Sequence, residues 1–81
     1  MIPPMPRATL FVRDGCHLCE DASLLLDEML GAGAWDAVDI GTDDELLVRY
    51  AHRIPVLMVD GEERAELVIT RPDVAEALAT R

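Results

Sequence analysis

Two cysteines, Cys16 and Cys19, are the residues whose type and spacing could do chemistry in this chain. They stand three residues apart, so a helix at this point would place them one turn apart on nearly the same face. Cα atoms with that spacing lie about 5–6 Å from each other, within disulfide range. Such a pair can attack a substrate disulfide and then resolve the mixed disulfide internally.

The position of the pair strengthens this interpretation. The motif follows a predicted strand at 9–12 and opens a predicted helix at 16–30, whose apolar residues recur at helical spacing. A cysteine in the first helical turn faces unsatisfied backbone amides and the positive end of the helix dipole. Both favour the thiolate, so we expect Cys16 to have a pKa below that of a free cysteine and to react before Cys19.

Other interpretations of the pair remain open. Zinc commonly takes four Cys or His ligands, and the two cysteines with His17 and His52 make four. However, His17 lies inside the motif, where closing a tetrahedron with its own neighbours is difficult. A structural disulfide would stabilise little, because the closed loop is short. The pair could also be inert thiols, and His17 either donates a hydrogen bond to Cys16 or is simply exposed.

Charged neighbours act on the motif in opposite directions. Arg13 either approaches Cys16 and stabilises its thiolate or remains a solvated loop charge. Three acidic residues, Asp14, Glu20 and Asp21, would raise the pKa of a nearby thiol. Acids in a first helical turn are more often partners of the helix dipole than catalysts.

The second candidate functional motif is Ile54-Pro55, which precedes an apolar run at 56–59. Proline has no backbone N–H, so at the start of a buried strand it cannot donate a hydrogen bond to the neighbouring strand. Base rates favour a trans bond. A cis bond would instead turn the chain sharply and leave the Ile54 amide and carbonyl free to pair with another peptide.

The remaining elements give the order β-α-β-α-β-β-α. Further strands are predicted at 35–40 and 63–69, and Asp60-Gly61 is a strong signal for the hairpin turn between the last two strands. Capping boxes at 42–45, with Thr42 as cap, and at 70–73 predict where the second and third helices begin. The expected fold is α/β, a mixed four-stranded sheet flanked by helices.

Composition narrows the function classes. The chain has 81 residues, one small domain, and is 51% apolar, which excludes a disordered tail. Its net charge of −9 makes contact with nucleic acid or with an anionic membrane unfavourable. Residues 1–7 are predicted to be an extended lead-in to a single domain at 8–81, since three prolines there forbid a helix. They do not form a secretory signal, so we expect a cytoplasmic protein.

Taken together, these features resemble a glutaredoxin-like protein of the thioredoxin-fold superfamily. The resemblance is to small bacterial members that carry Gly-Cys-His-Leu-Cys, here residues 15–19, and it extends to Arg-Ile-Pro-Val at 53–56. It implies a thiol–disulfide oxidoreductase with Cys16 as nucleophile and Cys19 as resolving thiol. Pro55 would be a cis-proline facing them, and Ile54 would offer its backbone to a bound thiol peptide.

The resemblance also implies substrate contacts, with one departure. Arg13 occupies the place of a basic residue near the thiolate, and Asp73 stands for the acid that holds the amino-acid end of glutathione. Glutaredoxins carry a Gly-Gly pair before the last helix, whereas this chain has Val68, Ile69 and Thr70 there. Stiff β-branched residues obstruct close approach of the ligand. We therefore expect no bound cofactor and a millimolar glutathione site or none.

Two functions follow as hypotheses. The first is a monomeric oxidoreductase acting on a disulfide-bearing protein or on a low-molecular-weight thiol. The second is a non-catalytic thioredoxin-fold module that docks a protein partner or a metal through Cys16 and Cys19. Reversible cycling of the two thiols would favour the first, and stoichiometric zinc would favour the second.

Overall fold

The computed structural model describes residues 8–79, and its elements follow the predicted order. The strands are β1 (Ala8–Val12), β2 (Asp36–Asp39), β3 (Val56–Val59) and β4 (Glu62–Glu66), and the helices are α1 (His17–Leu30), α2 (Asp44–Tyr50) and α3 (Arg71–Ala79). A short 3-10 helix, Ile40–Thr42, precedes α2. The predicted lead-in at 1–7 lies outside the described residues.

The four strands form one mixed sheet in the order β2-β1-β3-β4. β1 and β2 are parallel, with α1 as their crossover, while β1–β3 and β3–β4 are antiparallel. This confirms the expected mixed sheet and the thioredoxin-like arrangement of the chain.

The two central strands are covered on both faces, because alternate side chains of a strand point to opposite sides. On the side of α1 and α3, the buried cluster is Ala8, Leu10, Ala22, Leu26, Leu57, Val59, Val74 and Ala77. On the side of α2, the buried cluster is Ile40, Tyr50 and Val56, with Phe11 and Met58 packed against it. Covering both faces fixes the ends of β1 and β3, where the motif residues lie.

The predicted cap of α2 is wrong by one residue. Asp43, not Thr42, is the N-cap: its Oδ1 accepts hydrogen bonds from the amides of Glu45 at 2.9 Å and Leu46 at 3.2 Å. The Thr42 hydroxyl instead donates to the Asp39 carbonyl at 3.2 Å, inside the 3-10 helix. Thr42 and Asp43 both have side chains that can cap a helix. Because Thr42 is the last residue of the 3-10 helix, Asp43 takes the N-cap position of α2.

The turn signals at the other end of the chain are confirmed. Asp60 and Gly61 both have positive φ, at 52° and 84°, as the tight hairpin requires. The box before α3 is reciprocal, since the Thr70 amide donates to Asp73 Oδ2 at 3.0 Å and the Asp73 amide donates to Thr70 Oγ1 at 3.3 Å.

Both edge strands, β2 and β4, are shorter than predicted. β2 lacks one residue at each end, and β4 ends at Glu66 instead of residue 69. β4 ends there because Leu67 has a φ of 65° and turns the chain out of the strand. Its amide then donates to the carbonyl of Pro55 at 2.9 Å and to that of Arg53 at 3.3 Å. None of the helices within residues 8–79 is long and apolar enough to cross a membrane.

Candidate functional site

The motif lies where the chain leaves β1 and enters α1. Cys16 is the N-cap of the helix, with extended backbone angles of −94° and 106°, so the helix begins one residue later than predicted. Gly15 turns the chain into this position with a φ of 77°. Cys16 and Cys19 are joined by a disulfide, and their Cα atoms are 5.2 Å apart, within the expected range.

Helix-start geometry directs a backbone donor at the first sulfur. The Cys19 amide lies 3.1 Å from Cys16 Sγ and donates to it. After reduction, the same amide would face a thiolate, and a hydrogen bond to the charged form lowers the pKa of a thiol. The Cys16 carbonyl accepts the next amide, that of Glu20, at 3.1 Å, which holds the first turn closed.

The two cysteines differ in burial. Cys16 is half-buried, whereas Cys19 is only 3% exposed. The Cys19 carbonyl also accepts a hydrogen bond from the Ser23 hydroxyl at 2.9 Å. An incoming reagent therefore has access to Cys16 first.

The segment before β3 lies at the same edge of the sheet as the motif. Phe11 pairs with Val56 in the antiparallel β1–β3 register, so the chain leaving β1 runs beside the chain entering β3. The Ile54-Pro55 bond is cis, as expected. Pro55 is buried, and Ile54 packs against the α2-side cluster.

The expectation that the Ile54 backbone is free is wrong for its amide. That amide donates to the Tyr50 carbonyl at 3.2 Å, as part of the turn that ends α2. Within residues 8–79 no hydrogen bond reaches the Ile54 carbonyl, so this group remains an acceptor at the motif edge.

Arg13 and Asp73 lie on different sides of this edge. Arg13 is exposed towards β2, where its Cγ is 3.9 Å from the position that a Cβ on Gly41 would take. It lines an open groove of about 560 Å³ that also contains Cys19. Asp73 lines a separate small groove beside Arg64 at the start of α3, and its carboxylate is engaged in the capping box.

The histidines do not complete a cluster around the cysteines. His17 is exposed, with Nδ1 3.9 Å from a carboxylate oxygen of Glu20, and His52 is exposed after α2. Across the described residues there is no group of three or more His, Cys, Asp or Glu that could hold a metal ion.

Arg53, the first residue of the Arg-Ile-Pro-Val segment, binds two carboxylates of β4, a network that the sequence pattern does not predict. Its Nη2 donates to Glu63 Oε1 at 2.8 Å and Glu66 Oε1 at 3.2 Å, and its Nε donates to Glu66 Oε2 at 3.4 Å. Its guanidinium carbon lies 5.4 Å from the centre of the Tyr50 ring. Hydrogen bonding to Glu66, followed by that to Glu63, raises the pKa of Arg53, so the side chain stays charged.

Comparison with known proteins agrees with this geometry. The family model "Glutaredoxin-like domain (DUF836)" matches residues 7–79. The crystal structure of protein XcR50 from X. campestris is similar at 35% sequence identity with a TM-score of 0.78, covering 91% of this chain and 97% of that one. Protein Ne2328 from Nitrosomonas europaea, at 24% identity and a TM-score of 0.71, covers 96% of both chains and shares the fold. Among curated proteins no match is found.

Proposed function

Because the chain belongs to the Glutaredoxin-like domain (DUF836) family, we propose that it is a thiol–disulfide oxidoreductase. Cys16 is the attacking thiol and Cys19 the resolving thiol. One observation carries the proposal: a disulfide at the start of a helix joins a half-buried cysteine to a buried one. A purely structural disulfide over so short a loop would add little stability.

The proposed reaction has two exchange steps. The Cys16 thiolate attacks one sulfur of a substrate disulfide, the substrate S–S bond breaks, and the second substrate sulfur leaves as a thiolate that takes up a proton. Cys19 then loses its proton and attacks Cys16 Sγ, which releases the first substrate sulfur. The substrate gains two electrons, the Cys16–Cys19 disulfide forms, and an external thiol must return the electrons.

The other site residues take supporting roles in this proposal. The Ile54 carbonyl, beside Pro55, accepts a backbone hydrogen bond from a bound peptide, in the manner of strand addition. Arg13 supplies positive charge near the thiolate. These roles suit a disulfide-bearing protein or a low-molecular-weight thiol as substrate, handled by a monomer in the cytoplasm.

Glutathione is a poor fit to the start of α3. Asp73 would hold its amino group, but the Asp73 carboxylate already accepts the Thr70 amide, and the Asp73 amide already donates to Thr70. Val68, beside this cap, is 65% exposed and occupies space that a glycine would leave open. The net charge of −9 adds long-range repulsion of an anionic ligand.

Redox equilibration tests the proposal. The protein is incubated in mixtures of reduced and oxidised dithiothreitol, quenched with acid, alkylated and weighed by mass spectrometry. We expect Cys16 and Cys19 to change together in one reversible two-electron transition, and a variant with either Cys replaced by Ser to lack it. Thiols that alkylate only after unfolding, or protein purified with stoichiometric zinc, would instead favour a non-catalytic binding module.

A further inference from the structure

We propose that Arg53 is a positioning residue of the redox site, holding the segment that contains Ile54 and Pro55 beside the motif. It does so by binding two carboxylates of β4, those of Glu63 and Glu66. The inference rests on the proposed oxidoreductase function. It assigns to Arg53 a role in substrate exchange without contact with the reacting sulfurs.

A bulge in β4 creates the two-carboxylate receptor. Residues 63 and 66 are an odd number of positions apart, so a regular strand would send their side chains to opposite faces. The β3–β4 register shifts between Leu57 and Met58, so that Glu63 pairs with Met58 and Glu66 pairs with Val56. Met58 and Val56 share the α2 side of the sheet. The extra residue therefore brings both carboxylates to the face where Arg53 lies.

On this face the Arg53 guanidinium contacts two carboxylates and one aromatic ring. Two of its nitrogens engage both carboxylate oxygens of Glu66, and one of them also engages Glu63. The guanidinium lies over the ring of Tyr50, which is 5% exposed. Side-chain exposure of Arg53 is 34%, so the network is partly shielded from solvent. A planar guanidinium suits this bidentate and stacked geometry, and a lysine does not.

The backbone passes this constraint to the segment before β3. The Arg53 amide donates to the Tyr50 carbonyl at 2.8 Å, and the Arg53 carbonyl accepts the Leu67 amide at 3.3 Å. The Tyr50 ring in turn stacks on Phe11 with centroids 4.7 Å apart. Phe11 belongs to β1, and the loop 13–15 leads from that strand to Cys16. Arg53 thus joins β4, the end of α2 and, through Tyr50, the strand that precedes the loop to Cys16.

A competing explanation is that Arg53 binds an anionic group of the substrate. The network argues against this, because two carboxylates already surround the single guanidinium and the surrounding charge is negative. The two explanations predict opposite effects of Glu66→Gln on the reaction rate. If Arg53 binds an anion, Glu66→Gln frees its charge and speeds reaction with an anionic substrate. If Arg53 positions the segment, Glu66→Gln loosens it and slows the reaction.

The experiment uses a short peptide whose single cysteine carries a thionitrobenzoate mixed disulfide, in one neutral and one acidic version. Attack by reduced protein releases thionitrobenzoate, and Cys19 then releases the peptide thiol. The second-order rate is compared for wild type, Arg53→Gln, Arg53→Lys and Glu66→Gln. Iodoacetamide alkylation of Cys16 in the same proteins reports thiol reactivity without peptide docking.

We expect Arg53→Gln to lower the rate with both peptides by about tenfold or more, since small misplacements of reacting groups cost up to about 100-fold. Glu66→Gln should lower the peptide rate by a smaller factor than Arg53→Gln does. Arg53→Lys should have a peptide rate between those of Arg53→Gln and wild type. Iodoacetamide rates of the variants should stay within about twofold of the wild-type rate. General loosening of the fold would change the rates in both assays, so it would not produce this difference between them.

Arg71→Gln is the matched control, because it also removes one guanidinium paired with a carboxylate, that of Glu28 on α1. Its peptide rate should equal that of wild type. Equal peptide rates for Arg53→Gln and wild type would overturn the positioning role while leaving the oxidoreductase function intact. A faster Glu66→Gln with the acidic peptide would overturn it in favour of anion binding. A wild type that does not react with either peptide would overturn the proposed function itself.

Discussion

In the reduced protein, Cys16 should be alkylated far faster than Cys19 at neutral pH. The thiolate is the reacting species, so the rate follows both ionisation and access. Cys16 caps the helix and accepts the Cys19 amide at 3.1 Å, whereas Cys19 lies one turn inside the helix and is 3% exposed. The two thiols have the same chemistry, so any difference in rate comes from their positions in the fold.

Ionisation and access together set the size of this difference. A hydrogen bond to a charged group stabilises it by about 1.5–3 kcal/mol, and about 1.4 kcal/mol changes an equilibrium tenfold. The amide at Cys16 Sγ therefore raises its ratio of thiolate to thiol by about tenfold or more. Burial disfavours the Cys19 thiolate, and reagent reaches that sulfur only after local opening. Together these effects predict a ratio of rates on the order of 100-fold.

The assay is a timed pulse of iodoacetamide on protein reduced with dithiothreitol, followed by peptide mass spectrometry. Repeating the pulse in denaturant is the internal control, because the advantage of Cys16 should nearly disappear once the helix is lost. Equal rates in the native protein, or faster alkylation of Cys19, would refute the assignment of nucleophile and resolving thiol.

Three further predictions concern helix capping, core packing and glutathione binding. Asp43→Ala should lower the free energy of unfolding by about 1 kcal/mol and the Tm by about 4–8 °C, followed by circular dichroism, whereas Thr42→Ala should cost less than half as much. Leu26→Ala, at a fully buried site, should cost about 2–5 kcal/mol in denaturant unfolding, while the exposed Leu24→Ala should stay within about 0.5 kcal/mol. In the variant with both motif cysteines replaced by serine, glutathione should cause no saturable amide shift below millimolar concentration, and saturation at tens of micromolar would contradict this.

The sequence was informative where local chemistry alone decides the structure. Asp60-Gly61 predicted the hairpin because both positions need positive φ, and the structure has 52° and 84° there. Helical periodicity predicts α1, and the start of that helix brings the Cys19 amide within 3.1 Å of Cys16 Sγ. Thr70 is recognisable as a cap because its capping partner, Asp73, stands three residues away. Each of these signals is complete within one continuous segment of the chain.

Features that depend on strand register were missed. The bulge that brings Glu63 and Glu66 to one face is defined only against β3, so their link to Arg53 has no local signature. β4 is shorter than the sequence pattern predicts, since the turn at Leu67 is fixed by the carbonyls of Arg53 and Pro55, which are distant in sequence. The bond from the Ile54 amide to the Tyr50 carbonyl is local, but it forms only because the chain continues as a turn after α2, and the sequence pattern does not predict that turn.

Trapping of a single exchange step tests the oxidoreductase function most directly. Cys16→Ser and Cys19→Ser are each reacted with the neutral peptide mixed disulfide, and the products are weighed without reductant. We expect Cys19→Ser to release one thionitrobenzoate and keep the peptide on Cys16, while wild type ends as the Cys16–Cys19 disulfide with free peptide. Stable peptide adducts on wild type, or a Cys16→Ser variant that reacts as fast as Cys19→Ser, would contradict the proposed mechanism.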